Sequence, residues 1–102
     1  MEVHTKTWQT PNGLVEGVQT KWQGFNILLV AGSKGFLACP AVDVEACQRY
    51  AVAAAIVEST PDNPIRTLDR FPNRNVTKAN EKARALGITE GMPVTEAFAL
   101  IA

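Results

Sequence analysis

Residues 25–43 read FNILLVAGSKGFLACPAVD and contain the change from strand to helix that decides the fold. After Asn26 the chain is continuously apolar as far as Ala31, which predicts a central strand covered on both faces. Residues 32–35 (GSKG) predict a hairpin turn, and residues 36–41 complete the second strand of the pair. Asp43 then predicts the N-cap of a short helix over residues 44–50, because its carboxylate can accept hydrogen bonds from free backbone N–H groups.

The segment before this stretch predicts another antiparallel pair of strands. Side chains alternate along residues 3–10 and again along residues 14–22, as the two faces of a strand require. Residues 10–13 (TPNG) lie between them, and Asn-Gly tolerates the positive φ angles of a tight hairpin turn. We therefore expect four antiparallel strands within the first 41 residues.

The segment after this stretch predicts one more strand and then mostly helix. The alanine-rich residues 51–55 could extend the first helix, and the β-branched residues within 56–60 predict a fifth strand that ends at residues 61–64 (PDNP). A short helical piece is expected over residues 67–71, stopped by Pro72.

Two further helices are expected in the last third of the chain. The first would be capped by Asn75 or Thr77 and would end at Gly87, where a left-handed residue is favoured. Its apolar face would consist of Val76, Ala79, Ala83 and Leu86. The second would open at Pro93. Helical spacing predicts its buried stripe, which is Val94, Ala97, Phe98 and Ile101.

This order of elements predicts an α+β fold, because strands come first and helices follow. We expect a single domain over residues 1–102, with a mostly antiparallel sheet of about five strands and three helices packed chiefly on one face. The second and third strands should be antiparallel neighbours in that sheet. The two C-terminal helices should cover it and bury Phe98.

Composition and charge exclude several classes of protein. Ten basic and ten acidic residues give a formal net charge of zero, so no overall field attracts nucleic acid or an anionic membrane, and we expect neither as a partner. The longest apolar run covers residues 51–57, far short of the roughly 20 residues that span a bilayer. Because residues 1–10 are polar and alternating, we expect no signal peptide, and the two cysteines are too few for a disulfide scaffold. A cytoplasmic location is therefore expected.

Residues 35–43 (GFLACPAVD) resemble the strand-to-helix signature of a small YunC-like family of bacterial and archaeal proteins, the domain of unknown function 1805. Residues 65–69 (IRTLD) resemble the family's segment before its short helix, and residues 86–88, 91–92 and 96–97 resemble its C-terminal pattern. The resemblance extends over residues 14–101 and implies a compact α+β fold with no established activity. One departure is Pro40, where the family usually has glycine. Because proline has no backbone N–H, it cannot bind an anion through its amide.

Cys39 and Asp43 are the candidate catalytic residues. A thiol at the end of a strand and just before a helix lies in a positive backbone field that favours the nucleophilic thiolate, and Asp43 could orient a substrate or a water molecule. The plainer interpretation is that Cys39 is a small buried strand residue and that Asp43 is only a cap. Cys47 falls on the apolar face of the predicted helix. His4, the single histidine, lies in the first strand, so neither is expected to assist.

Arg66 and Asn26 are the candidate ligand-binding residues. Arg66 follows the predicted fifth strand, so its segment could return beside the fourth strand and reach Cys39, while Asn26 begins the central strand. Basic residues recur every four positions at Arg66, Arg70, Arg74, Lys78 and Lys82. This series is either an anion-binding stripe or a solvated face that Pro72 interrupts. One histidine and two cysteines lack the spacing of a zinc site, and no metal or cofactor is expected.

Two functions of different classes agree with these observations. The first is a small module that forms a homo-oligomer, through sheet edges or the hairpin carrying Trp8 and Trp22, and binds a partner or a small anionic ligand. The alternative is a cysteine-dependent enzyme with Cys39 as nucleophile at the strand-to-helix junction, assisted by Asp43 or Arg66. The scarcity of catalytic residue types favours the module.

Overall fold

A computed structural model describes residues 1–102 and contains one six-stranded sheet, whose strands lie in sequence order. The strands are β1 (Glu2–Thr10), β2 (Gly13–Trp22), β3 (Phe25–Ala31), β4 (Gly35–Ala38), β5 (Ala53–Val57) and β6 (Val76–Ala79). The helices are α1 (Val44–Gln48), α2 (Glu81–Ala85) and α3 (Val94–Ile101), together with a 3₁₀ helix at Leu68–Asn73. The α+β class is confirmed, whereas the predicted count of about five strands is one too few.

The sheet is mixed rather than wholly antiparallel. Strands β1 to β4 pair antiparallel through short turns, as predicted, and β2 and β3 are neighbours. Strands β4 and β5 pair parallel, because the chain crosses back through α1 before it re-enters the sheet. Strand β6 then pairs antiparallel with β5. The parallel pair is the feature that places the candidate site.

Strand β5 begins within the alanine-rich segment that could have extended the first helix. Helix α1 ends at Gln48, and Ala51 has a left-handed φ of 58°, which turns the chain away from the helix axis. All five residues of β5 are buried. Its alanines fit a strand that is packed on both faces, since Ala54 contacts the α1 side and Ala53 and Ala55 contact the main core. The predicted strand at residues 56–60 was therefore placed too late.

The predicted helix with a cap at Asn75 or Thr77 is wrong in its first turn. Residues 76–79 form β6, and the cap of α2 is Asn80. The pairing of β6 with β5 overrides the helical spacing of the alanines and valine in this segment. Gly87 has the expected positive φ of 99° just after α2. The 3₁₀ helix continues through Pro72, because the φ of proline suits that helix type.

Asn80 also explains why the chain leaves β6 at this point. Its side chain is fully buried, and its Oδ1 accepts hydrogen bonds from the N–H groups of Ala54 (3.1 Å) and Ala83 (2.9 Å). Its Nδ2 donates to the carbonyl oxygens of Val44 (3.0 Å) and Val52 (2.9 Å). One side chain thus joins α1, β5 and α2.

Helices cover both faces of the sheet, which corrects the expectation that they would pack chiefly on one. The main core includes residues of α2, α3 and the 3₁₀ helix, whereas α1 packs on the opposite face against Ala54 and Ile56. The predicted stripe of α3 is buried, with Phe98 only 3% exposed. Trp8 packs on Phe98 with ring centroids 5.1 Å apart, so Trp22 is the exposed tryptophan of the first hairpin.

No helix is both long and apolar enough to cross a membrane.

Candidate functional site

A cavity of about 320 Å³ lies at the edge of the sheet where the parallel strands β4 and β5 end. The residues after β4, the residues after β5 and the first residues of the antiparallel strand β3 meet at this edge. Ligand sites in sheets with parallel strands favour their carboxyl ends. The cavity is lined by Phe25, Asn26, Leu28, Cys39, Pro40, Ala41, Ser59, Thr60, Pro61, Pro64, Ile65 and Arg66.

Three of the four predicted site residues line this cavity, and they come from distant segments of the chain. Asn26 is the second residue of β3, Cys39 follows β4, and Arg66 lies in the loop after β5. Asp43 is not among the lining residues. Its Oδ1 accepts hydrogen bonds from the N–H groups of Glu45 (3.0 Å) and Ala46 (3.1 Å), which confirms the predicted helix cap. The structure therefore gives Asp43 a capping role and does not bring it into the cavity with Cys39.

Arg66 lies at the centre of a strained turn. Its φ is 62°, and the N–H of Thr67 donates a hydrogen bond to the carbonyl oxygen of Ile65 at 2.7 Å, which closes a γ-turn around it. A non-glycine residue in such a conformation costs roughly 1–3 kcal/mol and persists only where its surroundings impose it. The arginine side chain is exposed and is the one charged group among the residues that line the cavity.

Gln19 holds this turn, and the sequence interpretation missed it. The side chain is 6% exposed, and its Nε2 donates to the carbonyl oxygen of Arg66 at 2.8 Å and to Oδ1 of Asn26 at 3.4 Å. A carbonyl can only accept, so the contact with Arg66 fixes which end of the Gln19 amide is the donor. The sequence did contain a signal, because Gln19 is a polar residue on the same face of β2 as Val15. However, Leu14 and Val18 are apolar on the opposite face, so the alternation alone does not show which face is buried.

The Cys39 thiol is 6% exposed and makes no hydrogen bond in the structure. Cys47 is also a free thiol, but it packs with α1 on the other face of the sheet. His4 lines a different cavity, formed between β1, β2 and the 3₁₀ helix. The cavity beside Cys39 therefore has a sulfur atom but no histidine or carboxylate among its lining residues.

The predicted series of basic residues divides among different elements. Arg66 is in a loop, Arg70 is on the 3₁₀ helix, Lys78 is in β6 and Lys82 is in α2, so no continuous stripe forms. Arg74 is 8% exposed, and its guanidinium donates to the carbonyl oxygens of Asn63 (2.6 Å) and Pro64 (2.9 Å). Arg74 therefore supports the loop that forms one wall of the cavity.

A larger cavity of about 530 Å³ opens at the opposite edge of the sheet, where β4 and β5 begin. It lies between the end of α1 and the start of α2 and contains none of the predicted site residues. Gln48 there accepts a hydrogen bond from the N–H of Lys82 at 3.1 Å. The structure has no group of three or more His, Cys, Asp or Glu side chains that could hold a metal ion.

The fold is that of a small α+β domain with a cavity at the carboxyl ends of its parallel strands. The sequence profile of the family called Domain of unknown function (DUF1805) matches residues 38–101, and the chain belongs to this family. The matched region includes Cys39 and Arg66, whereas Gln19 and Asn26 precede it.

The fold is similar to that in the crystal structure of a protein of unknown function, TA1206 from Thermoplasma acidophilum, with a TM-score of 0.83. The sequences are 18% identical, and the match covers 99% of this chain and 94% of that chain. At this identity the likeness shows the fold alone. No curated protein matches the chain.

Proposed function

We propose that the protein binds a small anionic ligand in the cavity at the carboxyl ends of β4 and β5, with Arg66 as the positive group that attracts it. The observation that carries this proposal is the strained turn at Arg66, because the strained residue is also the one charged residue that lines the cavity. Strained backbone in an otherwise regular protein is concentrated at sites of binding and catalysis. No structural hydrogen bond involves the Arg66 guanidinium, so a ligand would not have to displace a protein partner.

The remaining lining groups suit a ligand of modest size. A cavity of about 320 Å³ lies at the small end of the range for ligand pockets, which is about 300–1,000 Å³. Ser59 and Thr60 contribute hydroxyl groups, each of which already accepts a backbone hydrogen bond and keeps its own hydrogen to donate. A few polar groups in an otherwise apolar lining would fix the orientation of the ligand.

The test is a titration of ¹⁵N-labelled protein with acetate, sulfate and inorganic phosphate at constant ionic strength. The proposal predicts that at least one anion causes saturable shifts of the backbone amide signals of the non-proline residues within 39–41 and 59–66. Arg66→Gln should abolish these shifts. Arg70→Gln is the matched control, because Arg70 is exposed on the 3₁₀ helix and does not line the cavity. Equal shifts in both variants, or no saturation with any anion, would overturn the proposal.

A second candidate function is cysteine-dependent catalysis, favoured by the position of Cys39 in the same cavity. Its thiol would be the nucleophile, and Arg66 would hold an anionic substrate. A general base is missing from the lining residues, so this candidate needs a substrate or water to accept the thiol proton. The test compares alkylation of Cys39 and Cys47 by iodoacetamide, followed by peptide mapping. Faster reaction of Cys39 supports the enzyme, and a Cys39 that stays inert while Cys47 reacts contradicts it.

We also propose that the protein forms a homo-oligomer through the free edge of β1. This strand has nine residues, pairs with β2 on one side only and is mostly exposed. Unpaired edges of this length readily pair with another strand. Sedimentation should give a mass above that of the 11.0 kDa chain, and a monomer at high concentration would contradict the proposal. We propose a cytoplasmic location as well, because both cysteines are free thiols and the cytosol keeps thiols reduced.

A further inference from the structure

We propose that the ligand of this cavity is a small monocarboxylate with a short apolar body, and that Asn26 binds its carboxylate together with Arg66. This inference rests on the proposed anion site and narrows the ligand to one chemical class. The carboxylate would lie against Arg66 and Asn26, and the apolar body would lie against Phe25, Leu28 and Ile65.

The orientation of the Asn26 amide is the first observation. Gln19 donates to Oδ1 of Asn26, and Gln19 itself is oriented by its hydrogen bond to the carbonyl oxygen of Arg66. The chain of contacts assigns the oxygen of Asn26 to Gln19 and leaves the Nδ2 group without an acceptor in the protein. Asn26 is half-buried and lines the cavity. Its NH₂ group is therefore a free donor for a ligand atom that can only accept.

The charge of the cavity is the second observation. Arg66 is the one charged side chain among 12 lining residues, so the lining has a formal charge of +1. A monocarboxylate has one negative charge, and its two oxygens match the planar pair of N–H donors of a guanidinium. A phosphate monoester has a charge of about −1.5 to −2 at neutral pH and would remain incompletely neutralised.

The shortage of backbone donors is the third observation. Phosphate sites typically use several backbone N–H groups that converge on the anion. Here Pro40, Pro61 and Pro64 line the cavity and have no N–H to donate. The N–H groups of Cys39, Thr60 and Ile65 are already bound to Leu28, Asn63 and Ser59. The free N–H groups of the lining loops are those of Ala41, Ser59 and Arg66, which are separate positions and not the consecutive donors of a phosphate loop. Side-chain donors suffice for a carboxylate.

The apolar walls are the fourth observation. Beside Arg66 and Asn26, the lining includes Phe25, Leu28, Ile65 and the prolines. A ligand with a branched or aromatic body would bury apolar surface there, and such burial adds affinity in proportion to its area. A bare anion gains none of this contribution. We therefore expect isobutyrate to bind more tightly than acetate.

The experiment is a titration of the full-length protein with isobutyrate, its neutral analogue isobutyramide, acetate and inorganic phosphate. Binding is monitored through the backbone amide signals of the residues that line the cavity. Isobutyrate should bind about tenfold more tightly than isobutyramide, because only the anion gains the charge-assisted hydrogen bonds. It should also bind more tightly than acetate and phosphate. Asn26→Asp retains an oxygen for Gln19 but replaces the NH₂ group by a negative charge, so isobutyrate affinity should fall at least about tenfold.

Asn73→Asp is the matched control, because Asn73 is exposed on the 3₁₀ helix and gains the same charge away from the cavity. If Asn26→Asp does not fold, Asn26→Ala is used in its place, and it should lower the affinity for isobutyrate several-fold. An Arg66-dependent phosphate site that is as tight as the isobutyrate site would overturn the carboxylate inference and leave the proposed anion site standing. An isobutyrate affinity that is unchanged in both Asn26 variants would also overturn it. A failure of every anion to bind would remove both proposals.

Discussion

Replacing Arg66 by glycine should stabilise the turn while it removes the proposed anion group. At a φ of 62°, an arginine is strained by roughly 1–3 kcal/mol, whereas glycine adopts positive φ without this steric cost. Glycine also adds conformational freedom to the unfolded chain, which costs about 0.5–1 kcal/mol. The net result should be a variant that is about 1 kcal/mol more stable than Arg66→Ala, which loses the same charge but keeps the strain.

The assay is urea unfolding of the two variants side by side, supported by thermal melts. For a chain of this length, about 1 kcal/mol corresponds to a difference in Tm of roughly 4–8 °C. Neither variant should show the saturable shifts of amide signals that anions cause in the wild-type protein. Gln23→Gly against Gln23→Ala is the matched control, because Gln23 has a φ of 45° in the β2–β3 turn and does not line the cavity. That pair should show a similar difference in stability with anion binding unchanged.

Two results would refute this reasoning. If Arg66→Gly is no more stable than Arg66→Ala, the turn is not strained and its conformation carries no argument for function. If Arg66→Gly is more stable than Arg66→Ala and still binds anions like the wild type, the turn is strained but the Arg66 side chain is not the binding group.

Three further substitutions test the roles assigned to particular side chains. Asp43→Ala should cost about 1 kcal/mol in the free energy of unfolding through the lost cap, and anion binding should stay unchanged; a loss of binding would return Asp43 to the site. Asn80→Ala should cost at least about 3 kcal/mol by urea unfolding, because it leaves buried backbone groups of α1 and β5 without partners; a cost below about 1 kcal/mol would contradict that role. Gln19→Met should cost about 1–2 kcal/mol and weaken anion binding by releasing the Arg66 turn; unchanged affinity would show that the turn holds without it.

The parts of the fold that the sequence predicted are those decided by local signals. The turns between β1 and β4 use short polar loops, and α3 has an apolar stripe at helical spacing, so neither depends on distant residues. The parts it missed depend on tertiary contacts. β5 contains three consecutive alanines, which favour helix in isolation and become a strand only because helices pack on both of its faces. Asn80 begins α2 because its partners lie in α1 and β5.

The candidate site was partly predictable for the same reason. A cysteine between a strand and a helix marks the end of β4, and the return of the chain after β5 brings Arg66 to the same edge. The strained φ of Arg66 and its support by Gln19 have no signature in the sequence, because they depend on a contact between residues 47 positions apart. The structure agrees with the plainer interpretation of Asp43 as a helix cap and does not bring it to the cavity that Cys39 lines. A carboxylate that accepts from the first N–H groups of α1 faces the helix.

The most direct test of the anion site is the side-chain Nε–Hε signal of Arg66 in ¹⁵N-labelled protein during a titration with isobutyrate at constant ionic strength. The signal is assigned by its disappearance in Arg66→Gln. We expect this signal to shift and saturate together with the backbone amides of the non-proline residues within 39–41 and 59–66, while the signal of Arg70 stays in place. An Arg66 signal that does not move, or that drifts in proportion to concentration in parallel with Arg70, would contradict the account.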